Sequence, residues 1–367
     1  MPHIDKEMIS FFVTTSCNLA CRYCYTNKND AYHKDQTLDL DFAKAGIDDY
    51  FAKSSSRHIR FFGAGEPTTK LELLISIYNY AREKSGGKLT TEIQTNGIFP
   101  KKVANWLAEN INIIWVSSDG TPDIQDYYRR TGGQKATSKF LADNVKYLLQ
   151  NKSCNGVIGI RATITPKTIK RQIDIIDYFM SLGIKYIWCD PLFPTVGEKM
   201  DYQEFDFIQY ASEYIKASKF ANSLGMFYGS FLTCNFDGET NYHCRACIPA
   251  PHLTTDGYIS ACDMALFGKM LPSESHMSPL IYGKWDVDNK RIVYFEDKIN
   301  ILRSRNADNM PGCKGCPAIR YCAGYCLGEV TNETGDLFGQ KSQVCDAIRY
   351  LYGQMGTSSK KFKYLHP

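Results

Sequence analysis

The segment that decides the fold is Ile9-Ser-Phe-Phe-Val-Thr-Thr-Ser-Cys-Asn-Leu-Ala-Cys-Arg-Tyr-Cys24, a short apolar stretch followed by three closely spaced cysteines. Its first part, Ile9–Thr14, is rich in β-branched and aromatic residues and predicts a β-strand. Cys17, Cys21 and Cys24 follow with gaps of three and two residues. Three thiolates at this spacing can bind an iron–sulfur cube and leave its fourth iron without a protein ligand. Such an open iron can bind a small molecule.

A zinc knuckle is the alternative interpretation of these three cysteines. Structural zinc sites have four protein ligands. The only further candidate nearby is His33. The spacing therefore favours an open iron–sulfur cluster over zinc.

Strand-like and helix-like segments alternate from about residue 8 to residue 230. The helix-like segments carry apolar residues at helical spacing, as at Leu71, Leu74, Ile75 and Tyr78. This alternation predicts parallel strands joined by right-handed crossovers, here a partial (β/α)6 barrel in an α/β fold. Functional residues should lie at the carboxyl ends of the strands. The predicted strands are Ile9–Thr14, Ile59–Phe62, Thr90–Thr95, Ile113–Ser117, Val157–Thr163 and Lys185–Cys189.

Composition excludes several classes of protein. The chain has 367 residues, 44% of them hydrophobic and 22% charged, which is the usual globular mixture. Its net charge of +4 is too small to predict a nucleic-acid binder. No apolar stretch is long enough to span a bilayer, and the first residues do not form a signal peptide. We therefore expect a cytoplasmic protein.

The second unusual feature is the density of cysteines after about residue 235. The chain has 14 cysteines, eight of them between Cys244 and Cys345, in a segment that is also rich in Gly and Pro. In a reducing compartment such a cluster predicts bound metal rather than disulfides. We expect a barrel over residues 1–235, a small loop-rich iron–sulfur domain with little core of its own over 236–350, and an exposed tail over 351–367.

The first cysteine motif resembles that of the radical S-adenosylmethionine (radical SAM) superfamily, Cys-x3-Cys-x-aromatic-Cys, with Tyr23 as the aromatic residue. Further motifs follow in the family's order, although Ala64 stands where the family has glycine and Gln125 precedes Asp126 where it often has His. The resemblance covers residues 8 to 230 and implies contacts to S-adenosylmethionine at the ends of successive strands. The implied residues are Tyr23, Gly65, Glu66, Pro67, Thr95, Asn96, Ser117, Asp119, Arg129 and Arg161.

The later cysteines resemble the seven-cysteine SPASM extension of radical SAM enzymes that modify peptides and proteins. With Cys244 as an eighth ligand, or Cys234 in reserve, the resemblance implies two auxiliary [4Fe-4S] clusters and three clusters in all. The first set is Cys244, Cys247, Cys262 and Cys326, and the second is Cys313, Cys316, Cys322 and Cys345. Cys154, Cys189 and Cys234 are then left as small buried residues. Two zinc sites remain the alternative.

The resemblance implies an enzyme that cleaves S-adenosylmethionine to a 5′-deoxyadenosyl radical and oxidises a substrate, with the auxiliary clusters as electron acceptors. We expect the substrate to be a ribosomally synthesised peptide whose side chains are cross-linked or otherwise altered. A formylglycine-generating sulfatase maturase, an enzyme of cofactor or tetrapyrrole maturation and a non-catalytic zinc-binding adaptor remain alternatives.

Asp263 follows Cys262 as in the sulfatase-maturating enzymes, where this Asp is a proposed general base. The other interpretation is an Asp that caps its local turn. Only 16 residues precede Cys17, which predicts no leader-peptide-binding domain at that end. A separate leader-binding protein and an electron donor such as flavodoxin or ferredoxin are the expected partners.

Overall fold

The computed structural model of the chain describes residues 7–26, 35–152, 156–194 and 205–357. Its first part alternates strands and helices. The elements are β1 Ile9–Phe12, α1 Leu40–Lys53, β2 His58–Phe62, α2 Leu71–Lys84, β3 Thr90–Thr95, α3 Lys101–Asn110, β4 Ile113–Ser117, α4 Pro122–Tyr128, α5 Ser138–Asn151, β5 Val157–Ile164, α6 Gln172–Ser181, β6 Tyr186–Pro191, α7 Phe207–Ser223 and β7 Phe227–Gly229. His33 and Cys154 lie outside the described residues.

Strands β1 to β7 are parallel and follow one another in chain order across the sheet. This confirms the predicted α/β architecture with a parallel core. Each of the six predicted strands is present, with ends that lie at most two residues from the prediction. A seventh strand, β7, was not predicted because its three residues are too few to form a pattern.

The alternation of side chains along each strand separates an apolar layer from a polar interior. In β2, Ile59 and Phe61 belong to the main hydrophobic core that includes the helices. His58 and Arg60 point to the opposite face and are also buried. The same face carries buried polar side chains on the neighbouring strands, such as Glu92 on β3. The inside of the barrel is therefore charged, which a barrel filled only for stability would not require.

The C-terminal part extends the same sheet. Its elements are β8 His252–Leu253, β9 Tyr258–Ser260, β10 Ile281–Asp286, β11 Arg291–Tyr294, α8 Glu296–Ser304, α9 Ile319–Cys322, α10 Leu327–Thr334 and α11 Ser342–Met355. Strand β8 pairs in parallel with β1, and β9 to β11 continue the sheet in antiparallel order.

The C-terminal part packs onto the barrel. Residues such as Leu253 and Ile259 belong to the same hydrophobic core as the barrel. The predicted tail from residue 351 begins too early, because α11 runs to Met355 and its Leu351 is buried. The apolar face of α11 carries the buried residues Val344, Ile348 and Leu351. The packed part of the chain therefore continues past residue 350.

Candidate active site

A cavity of about 280 Å³ lies at the carboxyl ends of the barrel strands. The ends of β1 to β6, or the loops that follow them, contribute to its wall, and the C-terminal part lines another side. The predicted site residues that line it are Cys17, Cys21, Tyr23, Cys24, Gly65, Glu66, Thr95, Asn96, Ser117, Arg129, Arg161, Cys244, Cys262, Asp263 and Cys326. Pro67 and Asp119 do not line it, although both are buried.

Backbone hydrogen bonds hold the loop of Cys17, Cys21 and Cys24 against its neighbours. Ala20 donates its N–H to the carbonyl of Arg130 (2.8 Å), which ties the loop to the segment after α4. On the other side, Glu66 donates its N–H to the carbonyl of Ser16 (2.9 Å). All three thiols therefore face one cavity from a loop that is fixed on both sides.

Gly65 is required where the β2 loop passes the cysteine loop. A Cβ at Gly65 would lie 2.2 Å from the carbonyl oxygen of Ser16, and a backbone atom cannot move aside cheaply. The Gly65 N–H also donates to the carbonyl of Thr14 (2.8 Å). Gly65 is predicted to contact the cofactor, and it is also needed because two backbone segments approach each other closely at this position.

We expect Gly65→Ala to lower the free energy of unfolding by about 1–3 kcal/mol, the usual penalty for overpacking. Chemical denaturation of the metal-free protein under anaerobic conditions measures this change. Gly132→Ala is the matched control, because no heavy atom lies within 4 Å of a Cβ at Gly132. Equal stabilities of the two variants would contradict the close approach.

Glu66 organises the cavity wall. Its Oε1 accepts hydrogen bonds from the Thr68 N–H (3.0 Å) and from the hydroxyls of Thr68 and Thr95 (both 2.7 Å). Its Oε2 accepts from the Asn96 N–H (2.6 Å). Burial raises the pKa of Glu66 and outweighs these hydrogen bonds, which lower it. Glu66 is therefore a buried connector between the ends of β2 and β3 as well as a lining residue.

Asn96 connects that wall to the cysteine loop. Its Nδ2 donates to Asn18 Oδ1 (2.7 Å) and lies 3.8 Å from Cys17 Sγ. An amide N–H directed at a thiolate sulfur stabilises negative charge there. Asn96 thus touches the first of the three cysteines directly.

Tyr23, Asp119 and Arg129 form a buried network behind Cys21. Tyr23 donates its hydroxyl hydrogen to Asp119 Oδ2 (2.5 Å) and accepts from Arg129 Nη1 (2.7 Å). Asp119 Oδ1 accepts from the Thr163 N–H (3.2 Å), and its side chain is fully buried. Burial first of all raises the pKa of Tyr23 well above its ordinary value, so the phenol stays neutral. Asp119 therefore belongs to this network and does not itself line the cavity, whereas Tyr23 and Arg129 do.

Gln125 and Asp126 have structural roles as well. Gln125 Oε1 accepts from the Ser118 hydroxyl (3.0 Å), and its Nε2 donates to Thr137 (3.1 Å). Asp126 Oδ1 accepts from the N–H groups of Thr137 and Ser138 (both 2.8 Å) at the start of α5. Neither side chain reaches the cavity.

Arg161 projects from β5 into the cavity between two aromatic rings. Its guanidinium carbon lies 5.8 Å from the ring centre of Trp188 and 5.5 Å from that of Phe231. Its Nη2 is 3.4 Å from Asp190 Oδ2. The rings and the carboxylate orient the guanidinium of Arg161, which lines the cavity.

Asp190, at the end of β6, is a cavity residue that the sequence analysis missed. Its Oδ1 accepts from the Phe231 N–H (2.7 Å), and the Ser230 hydroxyl lies 3.5 Å away. Burial raises the pKa of Asp190 to about 7, although Arg161 and these hydrogen bonds oppose the shift. The sequence feature that could have identified Asp190 as a site residue was its position at the end of a barrel strand.

Asp263 lies between two arginines and a histidine. Arg60 binds both of its oxygens, with Nη1 at 2.9 Å from Oδ1 and Nη2 at 2.7 Å from Oδ2. His252 Nε2 lies 3.3 Å from Oδ1, and Arg245 Nη2 lies 3.8 Å from Oδ2. Burial raises the pKa of Asp263, but the charge of Arg60 and the hydrogen bond with His252 outweigh it, and the net pKa is well below its usual range. The carboxylate is thus ionised, and its contacts are with two arginines and with His252, whose pKa is lowered by burial.

The four cysteines of the predicted first auxiliary set come together at the side of the cavity. Cys244 and Cys247 are joined by a hydrogen bond, which lowers the pKa of Cys244 and raises that of Cys247. Cys262 and Cys326 lie within electrostatic reach of Cys244 and of each other. Three of the four line the cavity, and Cys247 lies behind them.

The predicted second set surrounds a separate small cavity of about 30 Å³. Cys313, Cys316, Cys322 and Cys345 all line it. The side-chain amide of Gln340 donates to Cys313 Sγ (3.3 Å). The cysteines of the two sets are therefore separated as the sequence resemblance implies.

Two of the remaining cysteines, Cys189 and Cys234, belong to the packed interior of the described residues. Cys189 is fully buried and accepts a hydrogen bond from the Tyr228 hydroxyl (2.8 Å). Cys234 packs with Ile113 and Trp115, apart from both cysteine sets. Among the described residues, no three His, Cys, Asp or Glu side chains are close enough to hold a single metal ion. What the cysteines of each set share in this structure is therefore the cavity that they line, not a site for a single metal ion.

Residues 11–190 match the model of the Radical SAM superfamily. The chain contains a radical SAM domain. The match covers the barrel strands β1 to β6 and all three cysteines of the first loop. Together with the relatives below it indicates an enzyme with oxidoreductase-type radical chemistry, and it supports S-adenosylmethionine and a [4Fe-4S] cluster as cofactors.

Two curated relatives extend the comparison of the radical SAM domain. The radical SAM cyclopropyl synthase TigE of Paramaledivibacter caminithermalis is 21% identical over 98% of this chain and 76% of that protein. A cysteine-type anaerobic sulfatase-maturating enzyme of Clostridium novyi is 23% identical over 50% of this chain and 50% of that enzyme. Most of the curated relatives match over less than two thirds of their own length.

Two solved structures share the fold beyond the radical SAM domain. The structure of histidine-tagged anSMEcpe with bound AdoMet has a TM-score of 0.75 at 16% identity and covers 94% of this chain and 92% of that chain. Streptococcus suis SuiB bound to its precursor peptide SuiA has a TM-score of 0.63 at 17% identity, covering 92% and 75%. The similarity therefore includes the C-terminal part. Within the described residues, no helix is long and apolar enough to cross a membrane.

Proposed function

We propose that this chain is a SPASM-type radical SAM maturase that oxidatively modifies side chains of a ribosomally synthesised peptide. The observation that carries the proposal is the main cavity, which is lined both by Cys17, Cys21 and Cys24 and by cysteines of the first auxiliary set. A substrate bound there lies between a site that starts radical chemistry and a site that can take up an electron.

Three [4Fe-4S] clusters are part of this proposal. The first loop supplies three thiolates to one cluster and leaves an iron open to S-adenosylmethionine. Each auxiliary set supplies four thiolates and leaves no iron open. When bound and reduced, S-adenosylmethionine supplies a 5′-deoxyadenosyl radical that abstracts hydrogen from unactivated carbon.

The chain's own residues bind and orient the cofactor. Arg161 presents a planar guanidinium that suits the methionine carboxylate. Thr95 and Asn96, fixed by Glu66, form the opposite wall beside Cys17. Aromatic side chains such as Phe231 line the rest of the cavity and exclude water.

Asp190 controls how freely Arg161 binds the cofactor. As the pH rises through about 7, Asp190 ionises and competes with the methionine carboxylate for Arg161. We expect the KM for S-adenosylmethionine to rise about fivefold between pH 6 and pH 8, since such a contact is worth about 1 kcal/mol. In Asp190→Asn the KM should stay constant over this range. A wild-type KM that falls with pH would contradict this role.

Two relatives support a peptide as substrate. SuiB, which shares the fold, was solved with its precursor peptide. TigE matches nearly the whole chain, whereas the sulfatase-maturating enzyme matches half of it. Formylglycine formation is the second candidate, favoured by Asp263 beside Cys262 and by the fold shared with anSMEcpe. An electron donor such as flavodoxin or ferredoxin and a separate leader-binding protein are the proposed partners in the cytoplasm.

Coexpression under anaerobic conditions tests the proposal. The chain is produced together with each candidate precursor, meaning each short peptide encoded beside its gene, and the peptide is analysed by mass spectrometry. We expect the loss of two hydrogen atoms for each bond formed, located to side chains by fragmentation. The variant with Cys17, Cys21 and Cys24 changed to Ala is the control and should leave the precursor unchanged.

The second candidate predicts a different product. A cysteine-containing sulfatase peptide would then be converted to formylglycine, and the neighbouring precursor would be unchanged. This pair of results would overturn the proposal of peptide cross-linking.

A further inference from the structure

Arg305, directly after α8, is the largest fully buried side chain of the described residues. Its Nε donates to the carbonyl of Leu337 (2.6 Å), and its Nη2 donates to that of Gly324 (2.7 Å). Its Nη1 donates to the carbonyl of Tyr325 (3.2 Å) and lies 3.8 Å from Cys247 Sγ. The guanidinium therefore ends against a cysteine of the first auxiliary set.

Arg305 has no carboxylate partner among the ion pairs of the described residues. Glu329, on α10, pairs with Lys341 instead. A guanidinium stays protonated in proteins, and a buried charge without a counter-charge is strongly unfavourable. Three of its four partners are neutral carbonyls. The negative charge that balances Arg305 must therefore come from Cys247 and the group to which Cys247 binds.

Arg305 also fixes the loop that joins the two auxiliary sets. Ala323, Gly324 and Tyr325 have φ angles of +47°, +87° and +63°. Two of these residues are not glycine, and L-residues adopt this left-handed conformation only when the surroundings enforce it. Their loop runs from Cys322 of the second set to Cys326 of the first, and Arg305 binds two of its carbonyls.

We propose that Arg305 is the internal counter-ion of the first auxiliary cluster and raises its reduction potential, which makes this cluster the acceptor of the substrate's electron. The inference rests on the proposed function, because it requires that cluster. In the step, the substrate radical loses one electron as its new bond forms and gives up a proton. The cluster gains that electron and becomes more negative by one charge. A fixed buried cation stabilises the more negative state.

The second cavity is lined by two cations among the described residues, Lys341 and Arg349, and each of them pairs with a carboxylate. Arg349 lies near Cys316 and Cys345, but it pairs with Asp346 and is partly exposed to solvent. Its charge is therefore balanced and screened by water. The asymmetry predicts that the first auxiliary cluster has the higher potential and receives the electron first.

The test uses the full chain in which Cys17, Cys21 and Cys24 are Ala, so that only the auxiliary clusters remain. Potentials are measured by redox titration with electron paramagnetic resonance. We expect Arg305→Gln to lower the equilibrium constant for one-electron reduction of one auxiliary cluster at least tenfold, which is about 59 mV. The other cluster should not change. Arg303→Gln, at an exposed arginine of α8, is the matched control.

Unchanged potentials in Arg305→Gln would overturn the proposal. If this variant loses iron, Arg305→Lys decides: retained iron with a near-normal potential supports the role of the charge, and loss of iron in both variants contradicts it. Failure of the proposed function has a distinct result. In that case the parent chain, with Arg305 intact, would contain no auxiliary iron–sulfur cluster.

Discussion

The chain in which Cys17, Cys21 and Cys24 are replaced by Ala should form no 5′-deoxyadenosine while it keeps its auxiliary iron. These three thiols share one cavity with cysteines of the first auxiliary set, and the second auxiliary set lines a separate cavity. Removal of all three ligands eliminates the open cluster and with it the site where S-adenosylmethionine is reduced. Activity should fall below detection in a reductive cleavage assay, with about four iron atoms lost per chain.

Cys189→Ala is the control for this variant. Cys189 is a fully buried thiol of the barrel core and belongs to none of the cysteine sets. The substitution should cost some stability but no iron and no cleavage activity. Formation of 5′-deoxyadenosine by the triple variant would mean that the open cluster is bound elsewhere.

Asp263→Asn should keep all iron and still cleave S-adenosylmethionine, yet form product at least tenfold more slowly. Asp263 is proposed as the base that takes the proton released when the substrate radical is oxidised, and positioned bases contribute about 10²–10⁴-fold. It lines the cavity beside Cys262, as this role requires. The cations around it keep it ionised but make it a weak base. It can therefore accept a proton from a substrate group that becomes more acidic as the substrate is oxidised.

The competing role of Asp263 is that of a counter-ion for Arg60. Its bidentate contact with Arg60 gives this role more support than a turn cap. The double variant Arg60→Gln with Asp263→Asn separates the two, because it removes the unpaired charge that the single variant leaves buried. If Asp263 is the base, the double variant stays slow. Recovery of the wild-type rate would assign Asp263 to the ion pair alone.

Structural features that depend on a local sequence pattern could be predicted from the sequence. The strands of the barrel alternate with helices that have clear periodicity, and each predicted strand is present. The division of the later cysteines into two sets came from the resemblance to the SPASM extension, and cysteines close in sequence, such as Cys313 and Cys316, line one cavity. Strand β8 was missed, since it has two residues and pairs with β1 across more than 200 positions.

Charged contacts between distant strands could not be predicted. Arg60 lies on β2, and its partner Asp263 is 203 positions away. An isolated arginine in an apolar strand gives no sign of where its counter-charge comes from. The same holds for Asp190 and Arg305, whose roles depend on what the fold buries around them. Glu66 was expected at the cofactor, and the structure adds its hydrogen bonds to Thr68, Thr95 and Asn96.

Metal content after anaerobic reconstitution tests directly whether this chain is a three-cluster enzyme. We expect about twelve iron atoms and no zinc per chain, in a brown protein whose iron spectra are those of [4Fe-4S] clusters. Saturation at about four iron atoms with about two zinc ions would contradict it, since the C-terminal cysteines would then form zinc sites that cannot accept an electron.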